Sequence, residues 1–491
     1  MSLADIELLL IALFSVLGLV GLIVLKPRLH PLVALLVVSM AVGLATGMPL
    51  NKLASAISSG AGKTLGAVGL VVALGAMLGK LLADSGVTSR IADAIVSRSS
   101  YRALPWAMAG VAFIIGIPMF FEVGLVVLLP LIFGVARKLE TSRQGNGSAY
   151  VYVSVPVIAA LAAMHGMVPP HPGPLTAIAT LKTSVGATMI YGFVAAIPAI
   201  ILGGPLYAAF IAPRMKARPD EAMIHQYVPH DGEDGHGDGS AQASNSSGSA
   251  TREAHGKTGA VEATHAPSTG GPGVGIGVLC ALLPALLMLF HAVAEVLLDK
   301  TSGLLHVSAF VGNPIVAMLL GLLLAMVLLR SGDPESVRRS LSASVKPISN
   351  VLLIIAGGGA FQQVLTDAQV GDAIVHMSHQ FAVSPLLLGW LISMLLSVST
   401  GSATVGIVGA AGLLAPLAAS GGGINQPLLA LSIGCGSLFF NYANHAGFWL
   451  VKESFGMSMG EATKTISVVQ SIVSLVGLGM VFLLNLMPPL G

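Results

Sequence analysis

Charge is what this chain has least of. Asp, Glu, Lys and Arg make up 9% of its 491 residues, against 54% hydrophobic residues. Soluble domains carry roughly 25% charged residues, so a soluble globular protein is excluded and an all-α polytopic membrane protein is predicted. Net charge is only +2, which offers nucleic acid no basic footprint. The two cysteines, Cys280 and Cys435, both lie in apolar stretches; they exclude a disulfide framework and any CxxC site. No Lys or Arg precedes the first apolar run, so the positive n-region of a signal peptide is missing. Residues 6–25 are therefore expected to form a retained first helix with its N-terminus outside. No HExxH is present, and the histidines His165, His171 and His445 sit beside Pro or Gly breaks. An intramembrane metal hydrolase built from them and Glu122 is the remote alternative; no metal or other cofactor is implied.

What is there is apolar sequence in lengths that span. About 20 residues cross a bilayer as a helix. Such runs occupy 6–25, 30–48, 65–83, 186–212, 274–297, 308–329, 346–365 and 465–487. Two more, 148–182 and 427–454, contain polar breaks, giving ten expected crossings in all. Lipid offers backbone groups no partners, so irregular backbone at membrane depth survives only inside protein or around a water-filled cavity. The breaks are His165-Gly166-Met167-Val168-Pro169-Pro170-His171-Pro172-Gly173 and Asn441-Tyr442-Ala443-Asn444-His445-Ala446-Gly447, and the motif His171-x-Gly173 recurs in the second as His445-x-Gly447.

Two segments fit no span. Residues 103–136 form two apolar arms around Gly116-Ile117-Pro118-Met119-Phe120-Phe121-Glu122-Val123-Gly124, and residues 385–419 do the same around Ser397-Val398-Ser399-Thr400-Gly401-Ser402-Ala403-Thr404. Both are expected to be re-entrant hairpins with their tips at mid-membrane. Lys and Arg accumulate in cytoplasmic loops. If both hairpins return to the side they left, the outside holds only Lys52, Lys63, Lys182 and Lys300. The halves also repeat: Leu70–Ala76 with Asp84 and Val87 resembles Leu353–Gly359 with Asp367 and Val370, and Ile91–Val96 is echoed by Gly371–Val375. The chain thus divides into a half at 1–212, a linker at 213–272 and a half at 273–491. Each half has about five spans and one hairpin, in opposite orientations, with both termini periplasmic. Inverted repeats of this kind place their site near the midplane between the halves. Stretch 229–272 of the linker is rich in Gly, Ser, His and acid and is expected to be a disordered cytoplasmic segment.

The candidate site residues follow. Glu122 is an acid placed deep in the membrane, where a carboxyl is a functional-site hypothesis by default; burial disfavours its charged form, which suits a group that takes up and releases a proton. His171 and His445 can hold substrate or relay the proton with it. Substrate contact is assigned to His165, Gly166, His171, Gly173, Ser399, Thr400, Gly401, Ser402, Thr404, Asn441, Tyr442, Asn444, His445 and Gly447. Small hydroxyl residues and Gly at the second tip let backbone N–H groups approach a carboxylate; the same residues also permit close helix packing. The prolines Pro169, Pro170, Pro172 and Pro174 block helix continuation and make the first break rigid.

On these residues the chain resembles the gluconate permease family, gluconate:proton symporters of bacterial inner membranes. The resemblance is carried by Leu29-His30-Pro31, Gly75-Ala76-Met77-Leu78-Gly79-Lys80, Pro118–Gly124, His165–Pro174, Gly401-Ser402-Ala403-Thr404-Val405 and Ala446-Gly447-Phe448-Trp449-Leu450-Val451-Lys452-Glu453. It implies secondary transport of sugar acids and related carboxylates. The wider likeness to the ion transporter superfamily implies a homodimer with a scaffold and a moving elevator domain that holds the hairpins. The family usually has His and Asp where this chain has Tyr442 and His445, and Ala-Gln where it has Ser399-Thr400. Losing an acid and gaining a base changes the charge of the site, favours a smaller or more acidic hydroxy acid, and leaves Glu122 as the proton carrier. The expected function is proton-coupled symport of a sugar acid or short hydroxycarboxylate. The alternatives are a sodium-coupled carboxylate or D-amino acid symporter, or a passive channel.

Overall fold

The computed structural model describes residues 3–24, 29–87, 90–91, 94, 99–142, 147–220, 273–298, 302–329, 334–370, 373, 384–420, 423–442 and 445–489. Most of the linker, the echoed segments 91–96 and 371–375 in large part, Asn444 and the side chain of Ser399 lie outside them.

Among the described residues every regular element is a helix. The first three are α1 (Leu3–Val24), α2 (Pro31–Ala45) and α3 (Leu50–Asp84). The first hairpin is α4 (Leu104–Gly116) and α5 (Phe121–Thr141). The first broken helix is α6 (Ala149–Met167) and α7 (Pro172–Leu181), followed by α8 (Val185–Arg214). The second half begins with α9 (Val274–Leu297), the pair α10 (Gly303–Val311) and α11 (Pro314–Leu328), the amphipathic α12 (Pro334–Ala343) and α13 (Val345–Asp367). Then come the second hairpin, α14 (Pro385–Thr400) and α15 (Ala403–Ala419), the second broken helix, α16 (Gln426–Ser437) and α17 (Ala446–Ser454), and α18 (Met459–Leu484).

Local chemistry sets many of these limits. Ser148, Ser184, Asn313 and Asn425 each accept a backbone N–H at the start of α6, α8, α11 and α16, and Ser458 with Glu461 forms a capping box on α18. Among the described residues six helices are long and apolar enough to cross a membrane, or seven if α10 and α11, bent by 67°, are one span. The other runs expected to cross form shorter or broken helices. The span expected at 65–83 starts instead at Leu50, so α3 has 35 residues. At ~1.5 Å per residue that exceeds a ~30 Å hydrocarbon core, and its first half, with Asn51, Lys52 and a row of serines, falls below an apolar-run threshold.

The broken helix α6–α7 is the axis of the molecule: 94% of its most apolar window is buried, against 19% for α1. Both arms of the first hairpin pack on α6, and both arms of the second pack on α16. The second limbs cross over, α7 packing on α15 and α17 on α5. The limbs α6 and α16 meet at Gly166 and Gly434, where a Cβ on Gly434 would stand 1.9 Å from Gly166 O. Helices in lipid gain little from apolar contact alone, so small residues that bring backbones together decide where they cross. Around this core, α8 and α18 pack on each other and on α6 and α16, while α13 lies against α2, α3 and α15.

Candidate functional site

Four half-helices start at the interior breaks: α5 after the first tip, α7 after the first break, α15 after the second tip and α17 after the second break. A helix start presents unpaired N–H groups and the positive end of its dipole. Phe120 at the start of α5 and His171 at the start of α7 make no side-chain cap. Ser402 caps α15 through Val405 N–H, and His445 caps α17 through Gly447 N–H. The α7 start is poor in donors because Pro172 and Pro174 have none, which leaves Gly173 N–H in its first turn.

The histidines and Glu122 converge here. Glu122 lies in the first turn of α5, within electrostatic range of both His165 and His445. The rings of His165 and His171 meet edge to face at 5.7 Å. His171 Nε2 donates to Gly116 O at 2.9 Å, which ties the first break to the first hairpin. His445 Nδ1 accepts Gly447 N–H at 3.1 Å, so Nε2 carries the proton of the neutral ring. His165 Nδ1 is buried with no hydrogen-bond partner. Gly447 rests against Phe121, where a Cβ would come within 2.9 Å of the ring, and Gly173 rests against Ile407 of α15. Gly173, His165, His171, Glu122, His445 and Gly447 therefore share one seam.

Other candidates have local duties. Asn441 is buried, and its Oδ1 accepts from Ser397 Oγ at 3.1 Å. Ser397 Oγ also reaches Ser437 O at 2.6 Å, and Ser467 Oγ donates to Asn441 O at 2.6 Å. Asn441 thus fastens the second break to the second hairpin and to α18. Thr400 Oγ1 turns back to Leu396 O, and Gly401 takes the left-handed φ of 69° that ends α14. Thr404 is buried one residue into α15. Tyr442 is half-exposed, stacked on Phe440 at 5.9 Å and tilted against Phe448 at 5.1 Å. Gly166 serves the α6–α16 crossing.

A narrow pocket opens beside the first tip, with room for about one water molecule. It is lined by Ile117–Phe120 and Pro170–Pro172, and by Val71, Val72 and Gly75 of α3 and Met318 of α11. The last four were not among the candidates. Gly75 belongs to a motif quoted above, but nothing in the sequence places α3 and α11 opposite the tip. Ser467 was also missed; it ends a π turn, Thr463–Ser467, which aims it at Asn441.

The GntP family permease model matches residues 7–234 and 245–487. The chain belongs to this family. A gluconate permease of Pseudomonas aeruginosa is 36% identical to this chain over 486 residues, 98% of each chain. The D-serine transporter DsdX of Escherichia coli K12 is 31% identical over 470 residues, 95% of this chain and 96% of that one. The crystal structure of the YdaH transporter of Alcanivorax borkumensis resembles the permease at a TM-score of 0.58 and 16% identity, covering 93% of this chain and 98% of that one. At that identity the likeness speaks for the fold alone. The chain is thus an integral membrane protein of a transporter family.

Proposed function

We propose that this permease is a secondary active transporter that carries a sugar acid or short hydroxycarboxylate together with a proton across the bacterial inner membrane. The observation that carries this is the seam itself: four half-helix starts, those of α5 and α7 without a side-chain cap, with Glu122 and three histidines gathered inside a largely apolar core. Helix starts favour an anion, and a carboxyl among imidazoles can pass a proton. The substrate carboxylate sits against the starts of α5, α15 and α17, with Ser399, Thr400, Ser402, Asn444 and Tyr442 meeting its hydroxyls. Glu122 takes the proton, with His171 and His445 beside it.

The arrangement is that of two inverted halves, 1–212 and 273–491, meeting at mid-membrane with both termini outside and the linker 213–272 inside. Support comes from the crossed packing of α7 on α15 and of α17 on α5. The pocket has room for about one water molecule, too little for a sugar acid. Transport therefore needs the tip and break to move away from α3 and α11, as an elevator domain would within a homodimer. The substrates in the relatives' names, gluconate for one and D-serine for another, share a carboxylate with a hydroxyl within two carbons of it. D-Serine adds an ammonium that Glu122 could pair, so a D-amino acid carrier coupled to sodium or protons is the second reading. The test is uptake into proteoliposomes of labelled D-gluconate and D-serine, with an imposed pH gradient or sodium gradient. Accumulation of gluconate driven by the pH gradient in sodium-free buffer is expected; accumulation that needs sodium and ignores pH overturns the proton assignment.

A further inference from the structure

We propose that His165 is the protonatable partner of Glu122, so that the transported proton is shared between these two side chains while His171 and His445 stay neutral. The proposal rests on the proton-symport reading above and goes beyond it by sorting three histidines of one seam into two roles.

Helix position makes the first distinction. His171 is the residue that starts α7, and His445 is the one that starts α17. A cation there faces the positive end of a helix dipole. His165 lies in the last turn of α6, where the negative end favours a cation. Glu122 lies in the first turn of α5, where the positive end favours an anion. Each member of a Glu122 carboxylate and His165 imidazolium pair is thus supported by its own helix end, and the pair spans the contact between the first hairpin and the first broken helix.

Hydrogen bonding makes the second distinction. His445 uses Nδ1 to cap α17, and protonating that nitrogen breaks the cap. His171 holds Gly116 O through Nε2, a bond that fixes its ring against the hairpin. His165 Nδ1 is buried and uncommitted. A buried polar atom without a partner is costly and calls for a role. Here it is an open seat for a proton: no hydrogen bond joins it to Glu122 in this conformation, and as the tip moves the Glu122 O–H bond breaks while an N–H bond forms at Nδ1, and the reverse step returns the proton.

Among the remaining titratable groups on helices packed against α6, Arg137, Lys138 and Glu140 lie about four turns or more beyond Glu122 on α5, and Arg214 and Lys464 lie near the ends of α8 and α18. Cys435 of α16 lies against Gly477 of α18. Tyr191 of α8 is met by Asn425, Tyr207 donates to Lys464 O, and Glu461 is held in the capping box with Ser458. The arm α4 has no titratable residue.

The test is His165→Asn in proteoliposomes, with gradient-driven accumulation and substrate counterflow measured side by side on D-gluconate, L-idonate and D-serine. The variant is expected to lose accumulation above equilibrium and the pH dependence of counterflow, while counterflow itself is reduced less. Accumulation that survives with its pH profile intact overturns the proposal, and so does a parallel fall of both activities, which would mark His165 as a substrate contact or a structural residue. If wild-type protein shows no pH-driven accumulation of any of the three, the symport reading itself fails. Should the variant not reconstitute, histidine-selective 15N NMR of the wild-type protein in nanodiscs decides. One imidazolium signal that disappears in Glu122→Gln is expected; an unchanged histidine spectrum in that variant overturns the pairing.

Discussion

Replacing His171 with Phe keeps a ring in the first break and removes one hydrogen bond, from Nε2 to Gly116 O at 2.9 Å. Gly116 O also accepts Met119 N–H at 3.2 Å, so the carbonyl is not orphaned. The loss is that of one net hydrogen bond, about 0.5–1.5 kcal/mol. At 1.4 kcal/mol per factor of ten, the equilibrium between a docked and a released tip shifts about two- to twelvefold. The assay is amide hydrogen exchange of the protein in nanodiscs, read by mass spectrometry on peptides covering 116–124. Exchange there is expected to speed up by that factor, while peptides covering 399–404 stay as in wild type. His171→Gln, whose amide can still donate, is expected to restore part of the protection. If His171→Phe leaves 116–124 unchanged, the bond does not hold the tip and the first break is not what positions it.

Glu122→Gln is expected to abolish pH-driven accumulation and leave measurable counterflow; intact concentrative uptake in proteoliposomes would remove Glu122 from the proton path. Gly434→Ala drives a methyl into Gly166 O, 1.9 Å from the ideal Cβ, and is expected to lower thermal stability by about 1–3 kcal/mol or prevent folding. Gly110→Ala meets nothing within 4 Å and is expected to be neutral or stabilising by about 0.5–1 kcal/mol, so thermal shifts of the pair should have opposite signs or differ clearly in size. Ser397→Ala removes hydrogen bonds to Ser437 O and Asn441 Oδ1 and is expected to lower stability by about 1–2 kcal/mol. An unchanged melting curve would free Asn441 for substrate contact.

The helical class and the broken segments were legible because lipid makes composition and length speak plainly. The first arm of 103–136 is too short to cross, and its helix ends at Gly116, with the next starting at Phe121. Prolines at 169–174 announced a break, and α6 ends at Met167. Side-chain duty was not legible. Asn441 and His445 look alike as polar residues in one break, yet one fastens elements together and the other caps a helix beside Glu122. Nor could sequence spacing bring Val71 and Met318 to one pocket, since that depends on how α3 and α11 pack. The start of α3 at Leu50 was hidden because its first half, with Gly60, Gly62 and three serines, has neither an apolar run nor high helix propensity; it packs along α13.

An experimental structure of the permease in lipid nanodiscs with saturating D-gluconate is the most direct measurement of whether an organic anion is held at the mid-membrane seam. Density for the acid is expected between the first hairpin tip and the two helix breaks, its carboxylate at half-helix starts and within reach of His445. Both tips outside the hydrocarbon layer, or bound acid away from these residues, would contradict it.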